Sequence, residues 1–135
     1  MEGSMMDCLE IRDGEFSTVN VSALTLEPLP KTVDTRGYMY IVKDSVFPDW
    51  VKVGRTVDPK KRLQAYNSDK PFPTSRYVNM SKCFGDVIEV ERVVLEKMYE
   101  LASPSTASRE WFEIKHLSTL QELIVLAEDK YNGIS

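Results

Sequence analysis

GYMYIV at residues 37–42, WVKVGRT at residues 50–56 and DPKKRLQAY at residues 58–66 decide how this chain folds. The first two stretches are rich in aromatic and β-branched side chains, which suit a pleated surface, so each predicts a strand. Lys43 to Asp49 between them carries turn chemistry around Pro48, which predicts an antiparallel hairpin. Asp58 before Pro59 is a helix start: a carboxylate to cap the free N–H groups, then proline at the first helical position. That helix is expected to end near Asn67.

Downstream, Pro71 and Pro73 mark a loop, and Arg76 to Phe84 reads as a third strand. Asp86 can cap a helix to about Ala102, whose apolar stripe is Val87, Val90, Val94, Met98 and Leu101. SPSTAS is a loop, EWFEI a short strand or extended piece, and Ser118 with Gln121 resembles a capping box. The last helix is expected to bury Leu120, Leu123, Ile124, Ala127 and Tyr131. This order predicts an α+β domain, a small sheet with helices around it, over residues 35–135. Residues 1–34 read as an acidic arm, extended or partly disordered, with alternating apolar residues from Ser22 to Leu29.

Composition bounds the function. At 42% hydrophobic and 28% charged residues, 135 in all, the chain suits one ordinary domain. No apolar run approaches the ~20 residues of a membrane span, and no secretion signal is legible, so the cytoplasm is the expected compartment. Cys8 and Cys83 lack paired spacing, and His116 is the only histidine, which excludes zinc fingers and Ser-His-Asp hydrolysis. The net charge of −4 hides an asymmetry: residues 50–82 carry eight basic and two acidic side chains. Such a basic stripe can hold phosphate locally, and Arg55, Lys60, Lys61, Lys70 and Arg76 are its candidate DNA contacts. A solvated charged face would have the same composition.

Some residues fit their elements poorly. Glu91 falls between Val87, Val94 and Met98, in the middle of an apolar helix face, while Glu89, Glu96 and Glu100 lie elsewhere. A buried carboxylate needs a cation or a proton. The cation can be a metal ion or a salt-bridge partner, for example Arg62. Arg62 and Tyr66 stand at i and i+4, on one helix face. Tyr38, Tyr40 and Val42 share one face of their strand, and Lys52 reads on its own as a solvated edge lysine.

The pieces GYMYIV, WVKVGRT, KKRLQAY, EVERV and REWFEI, in that order from Gly37 to Ile114, resemble the short phage-encoded, orf172-like branch of the GIY-YIG nucleases. The resemblance implies a three-stranded antiparallel sheet flanked by helices. It also implies hydrolysis of DNA phosphodiesters with one divalent ion, Mg²⁺ or Mn²⁺. Tyr40 would sit at the attacking water, and Lys52, where many members have a tyrosine, would hold it partly ionised. Arg62 matches the catalytic arginine, Tyr66 stands where some members carry histidine, and Glu91 would bind the metal. Leu95 departs from the pattern, since the branch often shows histidine four residues after that glutamate. DNA is the implied partner, in a host cytoplasm if the chain is phage-encoded; oligomeric state is unread. The alternative is a DNA-binding or protein-interaction module on the same fold that has lost catalysis.

Overall fold

The computed structural model describes Leu26 and residues 35–132. The acidic arm therefore lies outside the described residues except for Leu26, which is buried and joins the core. The hairpin forms as expected: β1 (Tyr38–Asp44) pairs antiparallel with β2 (Trp50–Thr56), Tyr40 opposite Gly54 and Val42 opposite Lys52. Strand β3 (Ser75–Met80) adds to the other side of β1, with a register shift between Ile41 and Val42. It ends earlier than the sequence suggests; Phe84 rejoins only through a single bridge to Gly37.

The sheet has a fourth strand where three were expected. Strand β4 (Trp111–Glu113) pairs antiparallel with Trp50 to Lys52, so the order is β3-β1-β2-β4. Three residues show no legible alternation; the docking of Phe112 opposite Val51 makes the strand.

Alternation divides the sheet into two faces. Met39, Ile41, Val51, Val53 and Phe112 point inward and are fully buried. Helix α2 (Val87–Leu101) covers them with Val90, Val94 and Met98, and α3 (Leu117–Ala127) adds Leu120, Leu123 and Ile124. Asp86 caps α2, accepting from the Glu89 N–H. The Ser118–Gln121 capping box does not form. A 3₁₀ turn, Ile114–His116, runs directly into α3, so Ser118 is already helical and no orphan N–H awaits its hydroxyl.

Helix α1 (Pro59–Asn67) lies against the other face and buries no residue. Asp58 caps it through the Lys61 N–H at 3.1 Å. Polar ties hold it to the sheet: Tyr77 Oη donates to the Pro59 carbonyl at 2.7 Å, and Asn67 exchanges two bonds with the Ser75 backbone. A helix attached this way keeps its charged side chains free for ligands.

Candidate active site

Strand β4 stops opposite Lys52, and the last link on that side is Val53 N–H to the Glu110 carbonyl at 2.9 Å. Beyond it, β2 continues to Thr56 with an open edge among the described residues. A cleft of about 600 Å³ wraps this edge. Its walls carry Tyr40, Lys52, Arg55, Arg62, Glu91 and Glu110, from β1, β2, α1, α2 and the loop before β4. The open edge lets groups from both faces of the sheet meet.

Tyr40 is 2% exposed, and its hydroxyl lies 2.7 Å from that of Tyr66. Burial and this hydrogen bond push the Tyr40 phenol well above its ordinary range, against the pull of Arg62. Tyr40 is therefore a neutral phenol at pH 7. Lys52 Nζ donates to Tyr66 Oη at 3.0 Å and lies 3.5 Å from Glu110. The expected influence of Lys52 on Tyr40 thus passes through Tyr66. Burial lowers the Lys52 pKa, but the bond to Tyr66 and the charge of Glu110 outweigh it, so the ammonium is held charged.

Gly54 sits directly under Tyr40: a Cβ there would meet the Tyr40 hydroxyl and stand 2.6 Å from its ζ-carbon. Only glycine lets the tyrosine lie across β2. Tyr77, which the sequence reading passed over, closes the other side, its ring centroid 5.2 Å from that of Tyr40. Its place opposite Val42 follows from the register shift in β1, which leaves no mark in the sequence.

Glu91 is 6% exposed, as its position on the helix face predicts. Its partner is Arg55, not Arg62. Desolvation pushes the Glu91 carboxyl upward, and Arg55 offsets this only in part. Alternation puts Arg55 on the same side of β2 as Val51 and Val53, but Arg55 is itself exposed, and the charge it meets is set by how α2 lies over the sheet. Arg62 is exposed in the cleft with no side-chain partner among the described residues.

The remaining basic candidates spread out. Lys60 and Lys61 are exposed on α1. Lys70 is held by Asp44 at 2.8 Å and Ser75 at 3.1 Å, which staples the loop after α1. Arg76 is exposed on β3 and does not line the cleft. Leu95 is buried in the core, and His116 is buried in the turn before α3, outside the cleft. Among the described residues no three carboxylate, thiol or imidazole side chains cluster as a metal cage, and no helix is long and apolar enough to cross a membrane.

Fold and cleft together define a small α+β domain with cationic and phenolic groups gathered over one buried carboxylate. The sequence profile of the T5orf172 domain matches residues 37–127, from the bridge before β1 to the end of α3. The chain belongs to that family, a phage-associated one with nuclease-like, DNA-related associations. No curated protein and no solved structure matches it.

Proposed function

We propose that this domain is a DNA endonuclease of the GIY-YIG type, hydrolysing phosphodiester bonds with the help of one divalent ion. One observation carries the reading: an unpartnered arginine, a lysine-linked tyrosine pair and a buried glutamate converge on a single cleft from separate elements.

Arg62 binds the scissile phosphate. Its planar, permanently charged fork suits two phosphate oxygens and the charge that grows in the transition state. The Tyr40–Tyr66 pair handles the proton of the attacking water. In the form that has lost one proton, stabilised by the Lys52 ammonium, Tyr40 accepts the water proton as it passes its own to Tyr66. The hydroxide equivalent forms the new P–O bond while the bond to the leaving sugar oxygen breaks.

Glu91 suits a divalent ion of limited demands. Mg²⁺ is commonly held through one or two carboxylates, with substrate phosphate and water completing its shell. Glu91 and Glu110 would hold it, and Arg55 would turn from Glu91 toward the DNA backbone. A bound ion would supply positive charge to the phosphate and the leaving oxygen.

The Arg55–Glu91 pair also favours a second reading, a phosphate-binding module that does not cleave, because Glu91 already has a counter-ion. Plasmid nicking with Mg²⁺ against EDTA separates the two. Mg²⁺-dependent nicking, lost in Arg62→Ala, supports the nuclease; DNA binding without nicking supports the module.

A further inference from the structure

Trp50 and Trp111 are the only tryptophans in the chain, and both line a second pocket of about 380 Å³, together with Phe47 and Ser105. Phe47, on the turn between β1 and β2, is 50% exposed, and its ring meets Trp111 edge to face at 5.9 Å. Ser105 is drawn in by its N–H, which donates to the Trp111 carbonyl at 2.8 Å. Neither indole N–H has a partner among the described residues. Both tryptophans are half-buried, on the face of the sheet opposite its core.

The pocket adjoins the cleft. Trp111 pairs directly with Lys52 across the β2–β4 ladder, and Trp50, two residues before Lys52, shares its face of β2. Glu110, a cleft residue, is the chain neighbour of Trp111. A phosphate at Arg62 and Lys52 would therefore lie one strand position from an aromatic cradle with free N–H donors. In a nucleotide, phosphate and base are joined through one sugar, which matches this juxtaposition.

We propose that Phe47, Trp50 and Trp111 form a stacking platform for one unpaired base of the DNA whose phosphate occupies the cleft, so that the substrate class is single-stranded or locally unpaired DNA. The proposal rests on the phosphate reading of the cleft. A base inside a duplex is stacked on its neighbours and cannot offer its face to the platform; a single strand can.

Because both tryptophans line the pocket, intrinsic emission reports on it directly. The full-length protein is titrated at low salt with a short oligothymidylate, an abasic oligonucleotide of equal length and a blunt duplex. The expected result is quenching and about 10-fold tighter binding for oligothymidylate than for the abasic strand, which binds through phosphate alone without quenching. The duplex should also bind without quenching. Phe47→Ala, on an exposed turn, should bring the two single strands to within about 2-fold of each other, with an unchanged circular dichroism spectrum. Equal affinity and equal emission change for both strands in the wild type would overturn the platform while leaving the cleft reading intact. Failure of every oligonucleotide to bind would overturn both. Self-association of the free protein that Phe47→Ala abolishes would assign the pocket to a second copy of the chain, and so reject the base.

Discussion

Gly54→Ala tests the geometry of the cleft at its tightest point. The added Cβ would stand 2.6 Å from the Tyr40 ζ-carbon and closer still to its hydroxyl, where ordinary contact begins near 3.4 Å. The ring must retreat by about 1 Å to clear the hydroxyl, or the strand must shift. Tyr77 lies against the same ring, so retreat is resisted. A retreat of that size moves the hydroxyl out of register with its 2.7 Å bond to Tyr66, since an O–H···O bond tolerates only a few tenths of an ångström. Overpacking of this kind costs about 1–3 kcal/mol of stability, and a misplacement near 1 Å in a catalytic group costs roughly 100-fold in rate. Both effects are read from thermal unfolding and single-turnover cleavage of the same preparation. Adding Tyr40→Phe to Gly54→Ala removes the closest atom, so it should restore part of the stability and none of the activity. A Gly54→Ala protein with wild-type melting temperature and a rate within about 2-fold of wild type would refute the close packing and the tyrosine relay together.

Four further outcomes are expected. Glu91→Gln should remove cleavage by about 100-fold or more while the fold persists. Burial holds the Glu91 pKa above its unfolded value, so its contribution to stability is present at acid pH and lost as pH rises; the melting temperature of the variant should gain on the wild type as pH rises from about 4, and a constant difference would contradict the desolvation. Lys52→Met should move the pH–rate profile to higher pH, because the tyrosine pair then loses its proton later, whereas Arg62→Lys should lower the rate at every pH; single-turnover profiles that coincide for wild type and Lys52→Met would reject the relay. Duplex binding, measured with Ca²⁺ in place of Mg²⁺, should weaken linearly in log salt, with a smaller slope in the double variant of Lys60 and Lys61 to alanine. Despite its burial, Asp44 has its carboxyl drawn down to about 2 by Lys70, the Val46 N–H and Ser75, so Asp44→Asn should lose about 2 kcal/mol at pH 7; urea titrations should show the gap present above pH 4 and closing toward pH 2.

Much of the domain could be read from local pattern. Asp58-Pro59 and Asp86 cap helices where the sequence places them, because a cap is decided by a carboxylate and the first turn of backbone beside it. The burial of Glu91 was legible for a similar reason: an α-helix repeats every 3.6 residues, so a charge in the apolar stripe has one direction in which to point. What failed locally was the Ser118–Gln121 box, where the preceding 3₁₀ turn moved the helix start.

Partnership was not legible. The sequence by itself determined which elements form, which faces are apolar and that Glu91 requires compensation. Only the tertiary structure decided that Arg55 supplies that compensation, that Lys52 reaches Tyr40 through Tyr66, and that three residues around Phe112 become a fourth strand. The physical reason is range. Capping and periodicity act within a turn or two of chain, whereas an ion pair or a strand register depends on how separate elements are placed. The early end of β4 opens the edge of β2, and that opening brings groups from opposite faces of one sheet into the same cleft.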